Sequence, residues 1–233
     1  MRVAGRERQF MTIAVKPSMV TSHKPPNSAA GDAGKFILYD VSWQTYESLL
    51  RDLEKQHVSI TYDGGTLELM SPLPKHERAG RLLARLVQTY TETRDIPVAS
   101  FGMTTWRRED LARGLEADEC FYIQHEPLIR GREDLSLDRD PPPDLAIEVD
   151  ITRSSLEKQK IYAALGIPEL WRFEDEQLLM FVLQTSGDYQ QTTQSPSLPG
   201  LSPAQIETFM RLRLSMGETE WIRAFREEIA AQP

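Results

Sequence analysis

The alternation of apolar and polar positions divides the chain into recognisable elements. Between residues 41 and 56, Trp43, Tyr46, Leu49, Leu50 and Leu53 recur at helical spacing, with Ser42 placed as an N-cap. Val58 to Tyr62 alternates with period two, as a strand does. Asp63-Gly64-Gly65 predicts a hairpin turn, because glycines accept positive φ, and Thr66 to Met70 returns as the second strand. Lys75 to Arg94 predicts a long helix with Ala79, Leu83, Leu86 and Tyr90 as its apolar stripe. Val98 to Trp106 reads as one or two strands around Gly102, a turn follows at Arg113-Gly114, and Ala117 to Ile123 reads as one further strand. The polar stretch from Gln124 to Arg139 predicts an exposed connection with a short helix. Leu178 to Gln184 and Asp188 to Gln191 predict an antiparallel meander. Ser202 and Pro203 open a helix to Leu214, and a last helix from Glu218 to Ala230 carries Trp221, Ile222 and Phe225 on its apolar side.

Pro141 to Phe173 packs the densest chemistry into this pattern. Leu145 to Val149 is an apolar run broken by Glu148. Period two puts Asp144, Ala146 and Glu148 on one strand face. Two carboxylates on an otherwise apolar face are costly to bury, and a metal ion would offset that cost. The following helix has a capping box in Ser154 and Glu157, Gly166 at its end and Pro168 beyond. Lys158, Ile161, Tyr162 and Leu165 form its most apolar stripe, while Lys160 points the other way. A lysine on a buried stripe, ten residues after Glu148, is placed to return to the carboxylates. The same residues also read as a snorkelling lysine beside two acids that cap strands or helices. Residue logic leaves both open.

At these residues the chain resembles the Uma-two family of restriction-endonuclease-type proteins, abundant in cyanobacteria and placed in the PD-(D/E)XK nuclease superfamily. The matching residues are Pro143-Asp144-Leu145, Glu148-Val149, Ser154-Ser155, Lys158, Tyr162 and Gly166-Ile167-Pro168-Glu169-Leu170-Trp171. The match is close over this stretch and looser over roughly residues 36 to 190. One departure stands out: the superfamily's lysine usually lies two residues after the second acid, where this chain has Asp150. The resemblance implies that Lys158 has taken its place. It further implies an α/β (α+β) fold with a restriction-endonuclease-like core, a central mixed sheet flanked by helices. The implied activity is that of an endonuclease dependent on Mg²⁺ (or Mn²⁺). Asp118, Asp144 and Glu148 would be the oxygen ligands and Lys158 the fourth catalytic residue. Asp118 fills the family's strand-opening aspartate, with Ala117 replacing the usual proline.

Other polar residues are weighed individually. Glu68 is an additional candidate acid, though it reads more simply as a solvated strand-face glutamate. Glu77 matches the helical acid that nucleases of this superfamily often carry near the site. His76, near the apolar stripe, reads first as a satisfied core group. Arg78, Arg81 and Arg85 make a basic stripe, either a solvated face or a set of phosphate contacts.

Charge and length bound these readings. The net charge of −8 counts against a broad nucleic-acid groove, although a local basic stripe can coexist with it. A single cysteine, Cys120, excludes an intrachain disulfide and a cysteine zinc cluster. No apolar run approaches a membrane span, and no secretion signal is visible, so the expected location is the cytoplasm. The expected organisation is a disordered leader over 1–35, a nuclease-like domain over 36–192 and a helical extension over 193–233. Met11 and Met19 leave open a shorter start. The expected partner is nucleic acid, DNA before RNA, and a homodimer is compatible with the chain. A nuclease-like fold acting as a binding or interaction module is the competing reading, supported by the negative charge and the displaced lysine.

Overall fold

The computed structural model describes residues 34–150 and 156–232. In chain order the elements are β1 (Lys35–Leu38), α1 (Trp43–Leu53), β2 (Ser59–Asp63), β3 (Thr66–Met70), α2 (Pro74–Thr93), β4 (Ala99–Ser100), β5 (Thr104–Arg108), β6 (Arg113–Ala117), β7 (Glu119–Tyr122), α3 (Glu126–Ile129), β8 (Leu145–Val149), α4 (Lys158–Ala164), β9 (Glu169–Glu174), β10 (Gln177–Leu183), β11 (Tyr189–Thr192), α5 (Pro203–Leu212) and α6 (Glu218–Ala231). Ser42 caps α1 by accepting from the Thr45 amide at 3.2 Å. Gly64 and Gly65, both at positive φ, make the two-residue turn that pairs Asp63 with Thr66. Ser202 and Gln205 form the capping box of α5. The Ser154 cap lies outside the described residues, and α4 begins at Lys158 with Glu157 at its N-cap position.

The strands form two sheets. The six-stranded sheet, in the order β11-β10-β9-β8-β7-β4, is mixed: β8 and β9 run parallel and every other pair is antiparallel. A parallel pair needs a crossover, and the connection through α4 supplies it. The five-stranded sheet, in the order β1-β3-β2-β6-β5, is wholly antiparallel. The mixed sheet is the central one. On one face its Leu145, Ile147, Val149, Trp171 and Phe173 meet α2, α5 and α6. Its other face, through Cys120, Tyr122, Ala146 and Leu170, meets α4 together with Trp106, Leu115 and Ala117 of the antiparallel sheet. Strand β8 is therefore buried along its whole length, as strands covered on both faces are. Each large apolar side chain so enclosed contributes roughly 1.5–3 kcal/mol. Helix α1 covers one face of the antiparallel sheet with Trp43 and Tyr46 over Ile60, Tyr62 and Leu67.

Three sequence expectations change here. Lys35, assigned to the leader, already belongs to β1. Arg113 and Gly114 open β6, and the turn before them closes with the Ala112 amide on the Glu109 carbonyl. The expected single strand from Ala117 to Ile123 is two strands in two different sheets, with Asp118 between them. The chain also switches sheet between β4 and β5, at Gly102 with φ of 56°. Both sides of the Asp118 switch are buried, so the apolar pattern continues across it and gives no sign of the break. Among the described residues no helix is long and apolar enough to cross a membrane.

Candidate active site

The acids collect where the two sheets meet. Glu148 projects from β8 toward α4, where Lys158 donates from Nζ to Glu148 Oε2 at 2.7 Å. Four residues on, Tyr162 lies one helical turn further along the same face and donates its hydroxyl to Glu148 Oε1. Both oxygens of the buried carboxylate are thus held. Asp118, at the sheet switch, accepts from the Val149 amide at 2.7 Å, which pins it beside β8. Helix α2 crosses close over this point: a Cβ on Gly80 would sit 3.9 Å from Asp118 Cβ and from Val149 Cγ2. One turn earlier on α2 are His76 and Glu77.

Electrostatics tie these groups together. Burial, then repulsion from Glu148, pushes the Asp118 carboxyl up to about 7, against the opposing pull of Lys158 and the Val149 amide. Burial alone would lower the Lys158 pKa, but Glu148 and Asp118 outweigh it, so the net shift is upward and the ammonium stays charged. Burial and Glu148 push the Tyr162 hydroxyl well up, keeping it a donor. Glu116 is raised by burial, with Lys158 opposing and Glu77 and Glu148 adding. Glu68 is buried rather than solvated; it pairs with Lys35 at 3.3 Å and acts on Lys158 as well. His76 is also buried, and among the described residues its Nε2 has no hydrogen-bond partner. Burial and Lys75 lower its pKa. The site therefore holds a surplus of carboxylate around one largely buried ammonium.

Asp144 is elsewhere. It shares the strand face of Glu148, but four residues of strand separate their Cα atoms by about 13 Å. Its Oδ2 instead accepts from the amides of Ile123 and His125, at 2.7 and 2.9 Å. The His125 Nδ1 lies 2.7 Å from Oδ1, near enough for an ion pair when protonated but without hydrogen-bond alignment. Asp144 thus anchors the chain leaving β7. Face parity is necessary for convergence, and distance along the strand decides it. The basic stripe is also largely engaged: Arg81 lies 3.5 Å from Glu119 and Arg85 pairs with Glu218, leaving Arg78 exposed. Asp150, in the superfamily's usual lysine position, lies 3.3 Å from Arg172. Lys160 is exposed and paired with Glu157, as its helix face predicts.

Among the described residues no three His, Cys, Asp or Glu side chains gather closely enough to hold a metal ion by themselves. Asp118 and Glu148 together still fit a magnesium-like cation. Such an ion is commonly bound through one or two carboxylates and completes its shell with water and substrate phosphate. Burial first, and then Glu148, raise Asp118, so a cation placed between the two carboxylates would favour their charged forms.

The family model Uma2, described as "Putative restriction endonuclease", matches residues 43–216. The chain belongs to the Uma2 family. The matched span carries Glu68, Glu77, Asp118, Glu148, Lys158 and Tyr162, and it ends before α6. The mixed sheet flanked by helices is the form this Uma2 chain takes. No curated protein matches the chain. It is also similar to a crystal structure of "a putative nuclease belonging to DUF820 from Anabaena variabilis ATCC 29413". That likeness has 14% identity and a TM-score of 0.45, and covers 64% of this chain and 89% of the other. Two residues of this cluster escaped the sequence reading. Tyr162 had a signal, its spacing of four from Lys158. Glu116 had none, because the antiparallel sheet brings it in.

Proposed function

We propose that this Uma2 protein hydrolyses phosphodiester bonds in nucleic acid, with DNA the first substrate to try, and that it uses a divalent cation, Mg²⁺ or Mn²⁺. The observation that carries this reading is the Lys158–Glu148 pair beside the raised Asp118. Asp118 and Glu148 are the residues that would hold the cation. When bound, it would lower the pKa of a water and neutralise charge on the phosphate. Lys158 places a fixed positive charge where the scissile phosphate or the attacking water would lie. Tyr162 keeps Glu148 from rotating by occupying its second oxygen. Glu68, Glu77 and Glu116 deepen the negative potential that draws the cation in. Asp144 supports the loop and takes no chemical role. A single cysteine, buried in the fold, accords with a cytoplasmic location.

The test is a cleavage assay on plasmid, single-stranded DNA and RNA with several divalent metals, using wild type and Glu148→Gln. Metal-dependent cutting by wild type alone is the expected result. One observation favours the binding-module reading: Lys158 and Tyr162 already occupy both Glu148 oxygens. Binding with no cutting in any metal would establish that reading instead.

A further inference from the structure

A cleft of about 910 Å³ is lined by Glu148 and Lys158. That falls in the range of pockets that enclose a small organic ligand, roughly 300–1,000 Å³. Its lining includes Tyr162 and Ala163 of α4 and Tyr189 of β11. Tyr189 is partly buried and donates its hydroxyl to the Ile167 carbonyl at 2.6 Å. Its ring is therefore held in place before any ligand arrives.

The cations lining the cleft are already committed. Arg113 pairs with Asp63 at 2.8 Å, Lys160 with Glu157 at 2.5 Å, and Arg172 lies 3.1 Å from Glu174 and 3.3 Å from Asp150. The remaining one, Lys158, holds Glu148. On α2, Arg81 and Arg85 are paired as well. A duplex is gripped by neutralising several phosphates along both strands, which needs a run of uncommitted Lys and Arg. An unpaired nucleotide needs less charge, because aromatic stacking supplies much of its binding.

Resting on the hydrolase reading for its catalytic end, we propose that the cleft receives an unpaired nucleotide. Its base stacks on Tyr189 and its phosphate lies toward Lys158. The substrate class is then single-stranded nucleic acid, or an unpaired segment of a longer molecule, rather than intact duplex.

Binding measured without cleavage tests this separately from the chemistry. Fluorescein-labelled oligothymidylate and a labelled duplex of the same length are titrated with the full chain in EDTA, read by fluorescence anisotropy. Tighter binding of the single strand is expected. Tyr189→Leu should weaken it by roughly 5- to 150-fold, the span that stacking of one base supports, while Tyr189→Phe should keep it. Ala163→Phe, which adds bulk to the cleft lining, should weaken binding too and serves if Tyr189→Leu melts early. Duplex binding as tight as single-strand binding would overturn the proposal, as would unchanged affinity in both cleft variants. Single-strand binding with no cleavage in any metal removes the hydrolase reading and leaves this one. Cleavage of duplex alone does the reverse.

Discussion

Replacing Lys158 with methionine keeps most of the aliphatic stem and deletes the ammonium that holds Glu148. At 2.7 Å and an effective dielectric near 20, the gross attraction is about 6 kcal/mol. Desolvation of the two ions takes back much of it, and removing one member of such a buried pair typically costs about 3–5 kcal/mol. The carboxyl can limit the damage by taking up a proton. An ordinary glutamate titrates near 4.3, so holding one protonated at pH 7 costs about 4 kcal/mol, and at pH 5 about 1 kcal/mol. The sign follows: the unpartnered acid of the mutant is tolerated at low pH and becomes costly as pH rises. In the wild type the raised Lys158 contributes stability throughout this range, since neutral pH lies far below where it would lose its proton. The expected loss is about 3–4 kcal/mol at pH 7, or a fall in Tm on the order of 6–16 °C for a chain of this size, shrinking to about 1 kcal/mol at pH 5. Magnesium should narrow the gap between mutant and wild type, because the cation takes over neutralisation. Thermal melting of both proteins at the two pH values, with and without Mg²⁺, reads all of this, and hydrolysis by the mutant should be absent. A loss independent of pH would refute the buried-pair argument. Normal cleavage by the mutant would refute the role of Lys158, and melting curves insensitive to Mg²⁺ would refute the metal site.

Burial lifts the Glu119 carboxyl to about 7, with Arg81 opposing and Glu77 adding. A carboxyl raised in the folded state contributes stability that is full below about pH 4 and lost as pH rises through 7. Glu119→Gln should therefore change little at pH 4 and stabilise by on the order of 1–3 kcal/mol at pH 8, read by denaturant unfolding. A Cβ on Gly114 would sit 2.2 Å from the Tyr46 hydroxyl and 2.9 Å from its Cζ, and that ring is fully buried. Gly114→Ala should cost about 2–3 kcal/mol, partly recovered by Tyr46→Phe in the same chain. Asp144→Ala strands the amides of Ile123 and His125 and should cost about 2–4 kcal/mol in urea unfolding. Specific activity of its folded form should match wild type, and lost activity without lost stability would return Asp144 to the site.

Local rules carried much of this protein. Helical and period-two spacing predicted α1, α2, the β2–β3 hairpin, β8 and the C-terminal helices, since burying one face of a helix or strand imposes its period on the chain. The same logic put Lys158 on the buried face of α4, where it meets Glu148. Tertiary structure decided what spacing could not. Parity grouped Asp144 with Glu148, yet length along β8 parts them, and Asp118 fills the second place through a backbone contact with Val149. The passage from β6 to β7 was invisible because both sheets bury their strands there, and burial is all that a hydrophobic pattern records. Glu68 looked solvated on a hairpin face because nothing local reveals that the rest of the chain covers that face. Glu116 reaches the same acids from that antiparallel sheet. A residue's partners across a sheet interface depend on how the sheets pack, and that packing is a property of the whole chain rather than of any stretch within it.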